Sequence, residues 1–294
     1  VMEGHALADG LAEFPQAFPE LYRATVAAGE QSGHLDVVLE RLADYTEARQ
    51  ELRQRVTNAM VYPIALVVMA VGIISFMLAT VVPKIVSVFE NTSAELPGLT
   101  AGLIATSDFL IAYWPFLIAG LIGASWLGWW VLHREGPRRR FHRFLLRLPI
   151  ISRLTRGVNT ARFTRTLSIL AGSGVPILEA LKISAEVVEN VPMREAITEA
   201  TVRVREGASI SKSLAASRLF PPMMIHLVSS GEAGGKLEEM LSRAASGQER
   251  EVDGLIATLL GILQPLLIVL MGAIVLTIVL AILLPIFEIN NHIR

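Results

Sequence analysis

The strongest local signal in this 294-residue chain is a short pattern that occurs twice, Gly-Glu-x-x-Gly-x-Leu, at residues 29–35 and 231–237. Gly29, Glu30, Gly33 and Leu35 in the first copy correspond to Gly231, Glu232, Gly235 and Leu237 in the second. A carboxylate in such a setting can hold the exposed amide donors of a helix end, and the glycines can supply a left-handed cap and a tight turn. On this structural reading the first glycine caps, the second turns, and the Glu binds amides of the following helix. The alternative makes Glu30 and Glu232 contacts for a partner. Both copies keep the motif while their surroundings differ, which favours the structural reading.

The second chemical feature is basic. Residues 134–156 hold eight Arg and one Glu, with Arg134, Arg138, Arg139, Arg140, Arg143 and Arg147 at its centre. Such a cluster can set membrane topology and attract anionic lipid heads, at roughly 1 kcal/mol per residue near the surface. Docking of an acidic cytoplasmic partner is the alternative. Nucleic acid is disfavoured, because the cluster abuts an apolar run and has no reading module. GASISKS at residues 207–213 lacks the second glycine and the strand of a phosphate loop, and AGSGVP at residues 171–176 is a Gly-rich match on helical ground. The six His form no HExxH and no pair at helical spacing, so no metal site is expected, and His226 is expected to pack in a helix. Cysteine is absent, which removes disulfides, thiolate ligands and a Cys nucleophile. No catalytic, cofactor-binding or metal residue is therefore assigned.

The elements that carry these residues are set by hydropathy. With 52% hydrophobic and 18% charged residues, part of the chain belongs in lipid. Residues 56–83, 109–132 and 254–287 contain no Asp, Glu, Lys or Arg, and each exceeds the roughly 20 residues that cross a bilayer as helix. Arg49, Arg53 and Arg55 precede the first run. Lys84 faces Glu90, Glu95 and Asp108 between the first two, and the arginine cluster follows the second. Because Lys and Arg stay on the cytoplasmic side, the amino end and the segment after the second run are cytoplasmic and the carboxyl end is periplasmic. Only Lys84 and Arg294 of the basic residues then lie outside. Ser75, Thr80, Ser125, Gln264 and Thr277 are the obvious polar side chains of the spans, a poor lining for a solute transporter. Pro63, Pro83, Pro265 and Pro285 read as span boundaries.

The chain also repeats itself. A shift of 202 residues aligns Phe18 with Phe220, and eleven of 30 positions from there are identical, Arg41 with Arg243 among them. The second copy extends back to Phe163, and its counterpart would begin before Val1. The chain is thus expected to start inside its first domain. Leu35, Leu39, Leu42 and Ala43, and in the second copy Leu237, Met240, Leu241, Ala244 and Ala245, define one buried helix face each. Gly172, Gly174 and Pro176 separate two helices, and Pro192 suits the first turn of another. With no period-2 run, the fold is all-α. It is a polytopic membrane protein with three transmembrane helices and two homologous cytoplasmic helical domains, the first truncated. The boundaries are a cytoplasmic part at 1–57, spans at 58–83, 109–132 and 254–287, an outer loop at 84–108, a second cytoplasmic domain at 133–253 and a periplasmic tail at 288–294.

In these motifs, in AGSGVPILEAL, in VVPK after the first span and in the three-span plan, the chain resembles the GspF/PilC family, the inner-membrane platforms of bacterial type II secretion systems and type IV pili. RLADYTEARQ, AMVYP and LPGLT…SDFL look more like the secretion branch. The resemblance implies cytoplasmic six-helix bundles and a non-enzymatic scaffold in the inner membrane. Its implied partners are a cytoplasmic secretion ATPase, other inner-membrane secretion components, pseudopilins, membrane lipid and further copies of itself, with no nucleic acid and no cofactor.

Overall fold

Glycine, proline and asparagine punctuate the segment after the arginine cluster, and each stop has a visible cause. Helix α6 (Pro149–Gly172) ends where Gly174 takes a φ of 82°, a conformation costly to residues with a Cβ. Pro176 then caps α7 (Ile177–Glu186). Asn190 caps α8 (Val191–Arg205), its side chain accepting the Met193 N–H at 3.3 Å, with Pro192 in the first turn. Ser209 caps the short α9 (Ile210–Ala215), and α10 (Pro222–Gly234) follows with Pro222 in its first turn.

The structure, a computed structural model, describes residues 6–90 and 98–292. Among these residues helix is the only regular secondary structure. Ahead of α6 come α1 (Leu7–Ala12), α2 (Glu20–Ser32), α3 (Leu35–Glu90), α4 (Gly98–Leu132) and α5 (Glu135–Leu145), and α11 (Leu237–His292) closes the order. They divide into two compact units. One is drawn from Val1–Gln54 and Val131–Ala257, the other from Arg55–Trp130 and Thr258–Arg294.

The first unit has one continuous core. Phe163, Leu167 and Leu170 of α6 are fully buried, as are Leu181, Met193, Ile197, Leu214, Met224, Val228 and Leu241 from α7 to α11. Leu21 and Val26 of α2 and Val38 and Leu42 of α3 belong to the same cluster, and α2 packs on α6 and α7. The amino-terminal helices therefore share their apolar interior with the carboxyl-terminal ones. Phe163 and Phe220 contact each other with ring centroids 5.8 Å apart.

The buried face of α11 contains Leu241, Ala244 and Ala245, in the expected register. That of α3 differs from expectation. Val38 and Leu42 are buried with Leu35 partly so, while Leu39 and Ala43 are exposed. The stripe runs through 35, 38 and 42, because Val38 is the side chain that lies against the Gly29 backbone of α2. His226 is also exposed rather than packed, since the inner face of α10 is taken by Met224 and Val228.

Val56–Met77, in the second unit, and Leu237–Ala281, which begins in the first unit and continues into the second, are two helical stretches long and apolar enough to cross a membrane. Their surfaces expose Val68, Met69, Ile262 and Val269, an arrangement suited to lipid and unfavourable in water. Helix α4 carries the uncharged residues 109–132 with Pro115 inside it. Pro63 and Pro265 lie within α3 and α11 and end neither helix. The segment expected as an outer loop is helical at residues 84–90 and 98–108. Glu95 and Arg294 lie outside the described residues.

Candidate functional site

The two Gly-Glu-x-x-Gly-x-Leu motifs fold alike. The Glu30 carboxylate accepts the backbone N–H of Leu7 at 2.6 Å and of Ala8 at 3.0 Å. The Glu232 carboxylate accepts the N–H of Ile210 at 2.5 Å and of Ser211 at 3.0 Å. In each copy a Glu near the end of a 13-residue helix caps the first turn of the short helix some 22 residues upstream. This corrects the expectation that the Glu serves the following helix. The reason is geometric: the leading amides of any helix lack intrahelical partners, Ala6 at the N-cap of α1 offers no side-chain acceptor, and Ser209 of α9 reaches only the Lys212 N–H. Ionised acceptors make the stronger class of hydrogen bond, at about 1.5–3 kcal/mol net each.

The glycine roles are likewise exchanged. The second glycine of each motif is the left-handed cap, Gly33 at φ 74° and Gly235 at φ 68°. The first is the close approach. A Cβ on Gly29 would meet Val38 side-chain atoms at 3.0 Å, and one on Gly231 would meet the Leu237 Cα and the Met240 Cβ at 2.9 Å. The carbonyls of Gly29 and Gly231 accept the N–H of His34 and of Lys236, each at 3.0 Å, closing the corner. Leu35 and Leu237, both half-buried, begin the long helices α3 and α11. Residues 7, 8, 210 and 211 were not singled out as capping donors from sequence. The available signal was the second pair of matching segments, ALADGL and SISKSL, at nearly equal distances before the two Glu.

The arginine cluster divides by function. Arg139 binds Glu195 of α8 through Nε at 3.1 Å and Nη2 at 2.8 Å. Arg138 is half-buried, and Arg134 occupies the N-cap position of α5. Arg140, Arg143 and Arg147 are exposed. Between them, His142 accepts the Val191 N–H on Nδ1 at 3.1 Å, and its carbonyl accepts from Asn190. Burial first, then Arg138 and Arg194, hold the His142 pKa below its ordinary value. The imidazole is accordingly a neutral acceptor at the N-terminus of α8.

Further ion pairs knit the first unit together. Arg165 grips Glu249 of α11 with two nitrogens and reaches Ser246 at 3.1 Å. Hydrogen bonding to Glu249 raises the Arg165 pKa, burial opposes it, and Asp44 adds to it. Arg41 of α3 pairs with Glu238 of α11 at 2.7 Å, over the bare backbone of Gly172. The described residues include no group of three or more His, Asp or Glu arranged for a metal ion. What this geometry accomplishes is the fixing of helix ends and helix pairs.

Comparison with known proteins follows the same line. The family model described as type II secretion system (T2SS), protein F, matches residues 1–83 and 163–285. The type II secretion system protein F of Aeromonas hydrophila is 51% identical over all of this chain and 76% of its own length. That of Pseudomonas aeruginosa is 49% identical over 99% of the chain and 72% of its own length. The type IV pilus assembly protein PilC of the same organism is 36% identical over 99% of the chain and 78% of its own length. Two apolar helices, paired Gly-Glu corners and a match that spans nearly the whole chain agree, and the chain belongs to the type II secretion system protein F family.

Proposed function

We propose that the protein is the inner-membrane platform of a type II secretion system, a non-enzymatic scaffold that couples a cytoplasmic secretion ATPase to pseudopilus assembly and export. The observation that carries this reading is the gap in identity across one chain: 51% and 49% to secretion proteins against 36% to a pilus protein. The positive-inside pattern supports three spans, at 58–83, 109–132 and 254–287, with the amino end cytoplasmic and the carboxyl end periplasmic. The repeated Glu cap supports a duplicated helical domain, since two unrelated segments have no reason to share a carboxylate-to-amide contact at separations that differ by one residue.

In this role the cytoplasmic helices meet the ATPase and other secretion components, the spans meet pseudopilins and lipid, and copies of the chain associate. Glu30, Glu232 and the residues Arg138, Arg139 and Arg140 are the candidate contacts. Deletion of the gene is expected to retain the exported protein in the periplasm while surface pili persist, and the tagged platform is expected to co-purify with a secretion ATPase. Loss of pili with intact export would instead assign the pilus branch, and solute flux by the purified chain in liposomes would replace the scaffold with a transporter.

A further inference from the structure

The outward face of α5 has no role in the packing just described. Its inward face is committed: Leu146 is buried, His142 accepts from Val191, and Arg139 is bound to Glu195. At about 100° per residue, Arg140 and Phe144 recur on the opposite side, with Phe141 and Arg143 flanking them and Arg147 just past the helix end. Phe144 is 54% exposed and Phe141 43%. Ile150 and Ile151, in the first turn of α6, are also exposed. No Asp or Glu occurs anywhere in residues 136–178.

We infer that α5 is a membrane-surface helix, whose outward phenylalanines enter the headgroup layer of an anionic leaflet while Arg140, Arg143 and Arg147 bind lipid phosphates. This rests on the reading that α4 crosses the bilayer and emerges on the cytoplasmic side. Chain continuity supports it, since only His133 and Arg134 separate α4 from α5. Position and charge select lipid: the helix follows directly on a membrane-length apolar run, no acidic residue interrupts residues 136–178, and exposed phenylalanines next to arginines are the pattern of an interfacial amphipathic helix at an anionic surface. Guanidinium groups bind phosphate through paired N–H donors and are more weakly hydrated than ammonium, which suits a partly desolvated headgroup layer. The cluster then does more than orient the chain, because it anchors α5 at the leaflet.

The test exploits the lack of native cysteine. The full chain is placed in nanodiscs containing phosphatidylglycerol, with single nitroxide labels at Phe144→Cys, Lys182→Cys and Ile268→Cys, and collision with oxygen is compared with collision with a nickel chelate. Lys182 is an exposed position of α7, and Ile268 lies on the apolar surface of α11. The Phe144 label is expected to shift toward the lipid-like ratio of Ile268 and away from the aqueous ratio of Lys182. That shift is expected to shrink in phosphatidylcholine alone or when Arg140, Arg143 and Arg147 are all changed to Gln. A water-exposed Phe144 label beside a lipid-exposed Ile268 label overturns the inference and leaves the face to an acidic protein. Water at both positions removes the membrane premise itself, and the inference falls with it.

Discussion

Ser211 gives the Glu232 carboxylate two hydrogen bonds, its N–H at 3.0 Å and its hydroxyl at 2.6 Å. The corresponding residue of the first copy, Ala8, gives Glu30 only its N–H. The second corner is therefore the more firmly capped of two otherwise similar ones.

This difference predicts an order of stability. Glu232→Ala is expected to cost at least about 1.5–3 kcal/mol, the range for a single hydrogen bond to a charged group. Glu30→Ala should cost less, and Ser211→Ala should bring the second corner toward the first. Denaturant unfolding of the detergent-solubilised chain, followed by circular dichroism, gives the ranking. Equal loss at both sites would contradict it, and unchanged stability with lost ATPase binding would make the residues partner contacts.

The two glycines of each motif should fail differently. Gly235→Ala meets open space but must hold a left-handed backbone, at a cost of about 1–2 kcal/mol. Gly235→Asn should recover part of that, because Asn tolerates this conformation. Gly231→Ala drives a Cβ against the Leu237 backbone, at a cost of about 1–3 kcal/mol that no residue larger than glycine avoids. Unfolding midpoints for the three variants check this, and rescue of position 231 by Asn would refute the assignment.

The Arg165–Glu249 pair joins α6 to α11 through two nitrogens, in partly buried surroundings. A double-mutant cycle with Arg165→Met and Glu249→Gln is expected to show a coupling of about 0.5–3 kcal/mol. Arg203 and Glu199, an exposed pair one turn apart on α8, should show about 0.3–0.5 kcal/mol or less. Equal couplings would mean that solvent screens both.

His142 predicts a pH dependence whose sign follows from its lowered pKa. Unfolded, the imidazole titrates near its ordinary value of about 6.5. The folded chain binds the proton less readily, so stability is fully present above that value and falls as pH drops from there toward the folded pKa. Glu186 acts oppositely. Burial and a hydrogen bond with Glu20 raise its pKa, so its contribution is present below the usual carboxylate range and is lost as pH rises through the folded value. His142→Asn, which keeps an acceptor without a titrating proton, should flatten the slope just below neutrality and spare the Glu186 component. An unchanged slope in that variant would sink the assignment.

Much of this organisation is legible in the sequence because it depends on residues near one another along the chain. Two apolar stretches of membrane length, the Gly174 stop, the Pro192 start and the apolar stripe of α11 all follow from local rules, and the structure contains them. The stripe of α3 could not be read so surely. Leu39 and Val38 are equally apolar, and only the approach of the Gly29 backbone selects Val38. The division of the arginines was hidden for a similar reason. Whether Arg139 or Arg140 meets Glu195 depends on how α5 rolls onto α8, and composition carries no information about that roll.

By itself the sequence determined that the chain is helical, apolar in long runs, basic after the second of them, and built around a repeated Gly-Glu corner, since hydropathy, charge and turn chemistry act over a few residues. Only the tertiary structure decided what the corner's Glu holds. Its amide partners lie on a short helix some 22 residues away, and the chain must fold back before carboxylate and amides meet. It also decided that α2 and the start of α3 share a core with α6 and α7, because burial depends on which apolar faces meet, not on which residues bear them.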